Sequence, residues 1–223
     1  MNQLCYYNVF YYPQNMKTHF KRSIFMEGVS DEERIKFEDA YRLLVRKLSI
    51  AGKDKPLLLK NPASTARIEI LNRLFKGARF IHIVRNPFDV FASMLHHYPR
   101  LFNAFAWQDF DKIDLEEMVF YKYRRVMEGY LAQRHIIGDR LLETSYETIL
   151  ADPAREIGRF FDYFEFRNKD SSLKSIRRYV EQNLNYRRNR YRLTRAQVDR
   201  IHDEWSFALK EWGYSQPDTI EVA

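Results

Sequence analysis

The feature that most constrains the fold is a pair of short apolar runs separated by a segment with helical spacing. The first run is Leu57–Lys60, and the second is Arg79–Val84, which ends at Arg85. Between them, from Ser64 to Phe75, apolar residues recur at the spacing of an amphipathic helix. Two strands joined by a helix within about 30 residues are typical of a right-handed βαβ unit with a parallel sheet. The sequence therefore predicts an α/β fold.

The rest of the chain continues this alternation of helices and strands. A third strand is predicted from Arg140 to Ser145. Cap residues and apolar spacing predict further helices that begin at Ser30 (a capping box with Glu33), Phe88, Asp114, Asp152-Pro153 and Thr194 (a capping box with Gln197). The sequence shows no internal repeat, and the seven glycines are widely spread, so no flexible linker is evident. We expect a single domain over residues 1–223.

Charge and cysteine content limit the partners. Lys and Arg total 37 against 30 Asp and Glu, a formal net charge of +7, so an anionic partner is favoured: a nucleotide, a sulfated or phosphorylated substrate, nucleic acid or a membrane surface. Cys5 is the single cysteine, which excludes an internal disulfide and a cysteine-based metal cluster. We find no metal-ligand spacing, no signal peptide and no apolar stretch of about 18 residues. We expect a soluble, cytoplasmic protein without a metal.

Three polar side chains fall at the predicted strand ends: Lys60, Arg85 and Tyr146. In open α/β sheets, ligands bind outside the carboxyl ends of the strands, where helix N-termini also attract anions. We therefore expect these side chains to face one crevice that binds an anion.

The run from Leu57 to Pro62 and the run from Phe80 to Ser93 together resemble sulfotransferases that use 3′-phosphoadenosine 5′-phosphosulfate (PAPS). The family pattern Arg-x-Pro-x-x-x-x-x-Ser is met by Arg85 and Ser93, and the resemblance implies that both grip the 3′-phosphate. Bidentate hydrogen bonds from the Arg fork and a hydroxyl donor from Ser93 suit a phosphate. The residues alone leave alternatives open: a salt bridge between Arg85 and Asp89, and an ordinary serine on a helix surface.

Other segments extend the resemblance over about residues 40–214. The run Leu141–Pro153 looks like the family's strand ending in Tyr-Glu, which places Tyr146 near the nucleotide unless it is a core tyrosine. By resemblance, Lys60 is the catalytic cation, with a structural lysine as the alternative, and Arg188 or Arg190 covers the 3′-phosphate. The implied fold is a three-layer parallel sheet flanked by helices, similar to P-loop NTPases.

One family feature is missing from these 223 residues. Members carry a strand and a Gly-x-x-Arg-Ser-Gly-Thr-Thr loop for the 5′-phosphosulfate, whereas the closest glycines here, Gly129 and Gly138, are nine positions apart. We interpret this as truncation or as loss of half the cofactor site. Where many members have a catalytic His, this chain has Asn61 and Ser64. No catalytic base can therefore be identified. His82 is predicted to be a core histidine, and His96 and His97 to end a helix.

The predicted function is transfer of a sulfuryl group from PAPS to a hydroxyl or amine on a small molecule or glycan, with poor or no activity in this chain alone. A second hypothesis is a non-catalytic module that binds a 3′-phosphoadenosine nucleotide or a polyanion. A third is RNA binding through the arginine and tyrosine run Tyr186–Arg192. The prediction that we favour includes neither nucleic acid nor a membrane as a partner, and the acceptor and oligomeric state cannot be read from the sequence.

Overall fold

A computed structural model describes residues 4–53, 55–183 and 189–223. Its helices are α1 (Asn8–Tyr11), α2 (Met16–Phe25), α3 (Asp31–Ala51), α4 (Ile68–Leu74), α5 (Pro87–Phe105), α6 (Leu115–Gln133), α7 (Tyr146–Ala151), α8 (Pro153–Tyr163), α9 (Lys169–Gln182), α10 (Arg195–Glu204) and α11 (Ser206–Trp212). Its strands are β1 (Phe80–Val84), β2 (Leu141–Ser145), β3 (Tyr191–Leu193) and β4 (Ile220–Val222). Short 3-10 helices span Pro13–Asn15, Pro62–Ala66 and Arg134–Arg140.

The strands form parallel pairs, as an α/β fold requires. β1 pairs with β2 from Phe80 opposite Leu141 to Val84 opposite Ser145, and β3 pairs in parallel with β4. Parallel strands need a long crossover connection, and the chain between β1 and β2 runs through α5 and α6. The predicted α/β class is confirmed, although the described residues are mostly helical and each sheet has two strands.

The prediction of a strand at Leu57–Lys60 is wrong. This segment has no regular secondary structure, and 91% of the Leu58 surface is exposed. A short apolar run becomes a buried strand only when a neighbouring strand accepts its backbone hydrogen bonds. No such neighbour is found in the described part of the chain. The predicted βαβ unit therefore does not form, and β1 pairs with β2 instead.

The observed helix starts agree closely with those predicted from the sequence. Ser30 and Glu33 form a capping box on α3, and Thr194 and Gln197 form one on α10. Asp114 and Asp152 accept backbone N–H groups at the starts of α6 and α8. Such caps contribute about 1 kcal/mol each because they satisfy donors that have no partner within the helix.

The end of α5 differs from the prediction. The helix continues past the predicted end at His97 to Phe105 and contains Pro99 in its interior. His96 and His97 therefore lie within the helix, where both are exposed, rather than at its end. An interior proline removes one helical hydrogen bond, and α5 nevertheless continues through Pro99.

The described residues divide into two compact units. The first comprises residues up to 77 together with 96–136, and the second comprises 78–95 together with 137–223. The expectation of a single domain stays a prediction. The fully buried side chains of the first unit are mainly aromatic and aliphatic residues of the short N-terminal helices and α6: Val9, Met16, Phe20, Ile24, Val119, Phe120 and Tyr130.

An unusual feature of the first unit is a lysine inside this aromatic core. Lys122 of α6 is 3% exposed, and its Nζ has no hydrogen-bond partner among the described residues. Four aromatic rings have centroids within 5.7 Å of this nitrogen: Tyr6, Phe10, Phe20 and Tyr98. Aromatic faces attract an ammonium group, but burial without a hydrogen bond or counter-ion opposes its charge.

In the second unit, Trp205 is fully buried at the junction of α10 and α11. Its ring contacts Phe91 of α5 edge to face, with centroids 5.8 Å apart. Phe88 likewise meets His202 of α10 at 5.2 Å. The start of α5 is therefore anchored on the C-terminal helices. In the described ranges, no helix is both long and apolar enough to cross a bilayer.

Candidate functional site

Two of the predicted site residues meet at the carboxyl ends of β1 and β2. Because Val84 lies opposite Ser145 in the parallel register, the next residues, Arg85 and Tyr146, leave the sheet side by side. The guanidinium carbon of Arg85 lies 5.0 Å from the centroid of the Tyr146 ring. This stacking orients the guanidinium plane and leaves its edge for hydrogen bonds. Tyr146 is half-buried, so it is not a fully enclosed core tyrosine.

Arg85 carries a hydrogen-bond donor without a partner. Its Nε is buried and makes no hydrogen bond to any residue that the structure describes. The alternative salt bridge with Asp89 does not form there, because the Asp89 carboxylate accepts the hydroxyl of Thr219 at 2.8 Å instead. An unmet buried donor costs about 1 to 3 kcal/mol, so an anion beside Arg85 would relieve this cost.

Ser93 lies in the second turn of α5 and is half-buried. It follows Asp89 by four residues and so occupies the same face of the helix. Within the described ranges its hydroxyl makes no hydrogen bond. The start of α5 is fixed by Asn86, whose Oδ1 accepts the Phe88 N–H at 3.1 Å. This N-terminus carries a partial positive charge, which adds to the attraction of Arg85 for an anion.

Glu147 joins the turn after β1 to the segment that follows α11. One carboxylate oxygen accepts the backbone N–H of Asn86 at 3.2 Å, and the other accepts the Tyr214 hydroxyl at 2.8 Å. The Asn86 side chain also donates to the Ser215 carbonyl at 2.8 Å. These contacts were not predicted from the sequence. Asn before Pro at a helix start is a recognisable N-cap, but no local pattern predicts a contact between Glu147 and Tyr214, which are 67 residues apart.

Lys60, Arg188 and Arg190 are the other predicted site residues. Lys60 belongs to the first unit, where it is exposed and at no strand end. Arg188 lies outside the described residues. Arg190 is exposed and lies two residues N-terminal to the centre of β3. The next residue, Tyr191, donates its N–H to the Thr219 carbonyl at 2.9 Å.

His82 is buried within the second unit, as predicted for a core histidine. Its Nδ1 lies 3.2 Å from Oε1 of Glu143, its partner in the strand register, and Trp212 Nε1 donates to the same oxygen at 3.3 Å. These contacts give His82 a packing role between the sheet and α11. Among the described residues, no three His, Cys, Asp or Glu side chains are arranged to hold a metal ion.

Comparisons with known proteins agree on one family. Residues 11–170 match the family model described as "Sulfotransferase family". The chain is 30% identical over 167 residues to the omega-hydroxy-beta-dihydromenaquinone-9 sulfotransferase Stf3 of Mycobacterium bovis, and equally to that of Mycobacterium tuberculosis. The alignment covers 73% of this chain and 42% of either relative. The chain therefore spans less than half the length of these relatives.

A solved structure supports the same fold. The crystal structure of sulfotransferase STF9 from Mycobacterium avium superimposes with a TM-score of 0.61 at 16% identity, over 73% of this chain and 43% of that one. At this identity the likeness shows the fold alone. Together, the family-model match over most of the chain and the mycobacterial relatives show that this chain belongs to the sulfotransferase family.

Proposed function

We propose that the second unit binds the 3′-phosphoadenosine end of PAPS, with Arg85 and Ser93 on the 3′-phosphate and Tyr146 beside the nucleotide. The observation that carries this proposal is the buried, unpartnered Nε of Arg85, on a guanidinium stacked over Tyr146 at the ends of two parallel strands. The free hydroxyl of Ser93 on α5 supplies a second donor. These residues fit a phosphate, because it accepts several charge-assisted hydrogen bonds at once.

The other site residues predicted from the sequence are part of the same proposal. Arg190, and Arg188 by the resemblance, would add positive charge over the 3′-phosphate. Lys60 would stabilise negative charge on the leaving phosphate, the general role of a cation in this type of transfer. When bound, PAPS supplies the activated sulfuryl group, and the residues of this chain hold and orient it.

We propose a hydroxyl group on a small molecule as the acceptor, with an amine or a glycan hydroxyl as alternatives. Support comes from the name of the Stf3 relatives, which specifies an omega-hydroxy compound. A cytoplasmic setting is also proposed, supported by Cys5 as a free thiol.

Replacing Arg85 tests the nucleotide site. Arg85→Ala should weaken binding of adenosine 3′,5′-bisphosphate at least about tenfold, because a charged hydrogen bond is worth roughly 1.5 to 3 kcal/mol. Binding of AMP, which lacks the 3′-phosphate, should change much less. Isothermal titration calorimetry measures both affinities. Arg177→Ala on α9 is a matched control, since it removes an exposed guanidinium of the same unit. Unchanged affinity in Arg85→Ala would rule out this site.

A second candidate function is binding of the nucleotide or of a polyanion without transfer. It is favoured by the exposed, irregular segment around Lys60 and by the absence of a glycine-rich loop from these 223 residues. Competition between adenosine 3′,5′-bisphosphate and a single-stranded oligonucleotide separates the possibilities. Displacement by the nucleotide at low concentration supports a specific site, whereas preference for the oligonucleotide supports polyanion or RNA binding.

A further inference from the structure

We infer that residues 213–219, the C-terminal strap, position Arg85 and the start of α5 for the 3′-phosphate. This inference rests on the proposed function of Arg85. The strap follows α11 and lies beyond residue 170, where the match to the family model ends.

The first part of the strap closes a ring of hydrogen bonds. The Tyr214 hydroxyl donates to Glu147 Oε2 at 2.8 Å, and Glu147 Oε1 accepts the Asn86 N–H at 3.2 Å. The Asn86 side chain then returns to the strap by donating to the Ser215 carbonyl at 2.8 Å. The ring joins the turn after β1, the start of α7 and the strap, so a shift of any one of them strains the other two.

The ring lies directly beside the proposed phosphate ligands. Asn86 follows Arg85 in the chain, and Glu147 follows Tyr146, on which the Arg85 guanidinium stacks. Asn86 also caps α5, the helix that carries Ser93. A bidentate contact from a guanidinium depends on positions held to within about 0.5 Å, which is the precision that supporting hydrogen bonds provide.

The far end of the strap makes a second, buried contact. Thr219 donates its hydroxyl to Asp89 in the first turn of α5, and the two residues are 7% and 1% exposed. The Thr219 carbonyl accepts the Tyr191 N–H at 2.9 Å, next to Arg190. Through Thr219, the strap therefore links the start of α5 to the start of β3.

The near end of the strap is fixed where α11 stops. Gly213 adopts a left-handed conformation, with φ of 66°, and the Tyr214 N–H bonds back to the Leu209 carbonyl at 2.9 Å. This turn is typical of a helix C-terminus, and residues other than glycine adopt it at a cost. It directs Tyr214 away from the helix and toward Glu147.

Tyr214→Phe tests the strap, because it removes one hydroxyl and leaves the aromatic side chain in place. Using the full 223-residue chain, titrations with adenosine 3′,5′-bisphosphate and with AMP give the preference for the 3′-phosphate. We expect the affinity for the bisphosphate to fall about fivefold to tenfold and the affinity for AMP to stay within about twofold. If Tyr214 had a purely structural role, its replacement would lower the affinities for both nucleotides equally or leave both unchanged. Tyr163→Phe is the matched control, since the Tyr163 hydroxyl donates to the Leu141 carbonyl at 3.2 Å and takes no part in the ring of hydrogen bonds.

The outcomes distinguish failure of the proposed nucleotide site from failure of the strap's role. If the unaltered chain does not prefer the 3′-phosphate, the proposed function fails, and the strap's role fails with it. If the unaltered chain shows the preference and Tyr214→Phe retains it as fully as Tyr163→Phe does, the strap inference alone is overturned. Should Tyr214→Phe fail to fold, Thr219→Val removes the Asp89 contact with little change of shape, and the same loss of preference is expected.

Discussion

Sulfuryl transfer by the 223-residue chain alone should be at least about 100-fold slower than transfer by a family member that carries the Gly-x-x-Arg-Ser-Gly-Thr-Thr loop. That loop holds the 5′-phosphosulfate with backbone N–H groups, and this sequence contains no glycine-rich loop. Losing a single preorganised donor at a developing charge costs about 100- to 1000-fold in rate. In the proposed site, Arg85 and Ser93 would hold the 3′ end and position the nucleotide without orienting the reacting bond, and such uniform binding gives no acceleration.

The assay follows labelled sulfate from PAPS to a panel of hydroxyl and amine acceptors. A mycobacterial relative serves as the active control, and binding of adenosine 3′,5′-bisphosphate by the same preparation shows that the chain is folded. Slow or undetectable transfer together with nucleotide binding is the expected result. Turnover at a rate comparable to that of the relative would contradict it and would indicate that other residues of this chain replace the loop.

A second large effect is expected on the pH dependence of stability, and its source is Lys122, the buried lysine of the first unit. Burial lowers the pKa of Lys122 from 10.5 to about 7. Between these values the unfolded chain holds a proton that the folded chain lacks, so stability should rise as the pH increases from about 7 toward 10.5. At about 1.4 kcal/mol per pKa unit, the full effect is on the order of 5 kcal/mol, before the attraction of the four aromatic rings for the ammonium reduces it.

Lys122→Met replaces the ammonium with an apolar group of similar length and should remove this rise. Urea unfolding of both forms at pH 7 and pH 9.5 measures the difference in the free energy of unfolding. Lys17→Met is the control, because Lys17 also lies over an aromatic ring, that of Tyr121 at 4.3 Å, but is exposed. Burial raises the pKa values of Tyr6 and Tyr98 above 10.0, so their effects on stability begin near pH 10, above the higher pH of this measurement. Equal pH dependence in Lys122→Met and the unaltered chain would contradict the account.

Local signals predicted much of the fold. Ser30 and Thr194 were identified as helix caps because a cap needs only a side-chain oxygen and the next three residues. Strands β1 and β2 were predicted to within one residue by their apolar runs. Leu57–Lys60 carries an equally apolar run, yet it is exposed and irregular, because strand formation also depends on a partner elsewhere in the chain.

In the candidate site too, contacts that follow from local signals could be predicted, and contacts between distant parts of the chain could not. The pairing of Arg85 with Tyr146 was predictable, since both follow strands and the ends of parallel strands meet at one edge. The bond between Tyr214 and Glu147, and that between Thr219 and Asp89, join residues 67 and 130 positions apart. Contacts across such separations follow from tertiary packing, and no spacing rule in the sequence indicates them.

The most direct test of the central claim compares two isomers with the unaltered chain. Adenosine 3′,5′-bisphosphate and adenosine 2′,5′-bisphosphate have the same composition and charge and differ only in the position of one phosphate. A site built from the Arg85 fork and Ser93 should bind the 3′ isomer at least about tenfold more tightly, since misplacing the phosphate forfeits a charged hydrogen bond. Calorimetry showing this preference would support a sulfotransferase nucleotide site, whereas equal affinities would show that the chain attracts polyanions by charge alone.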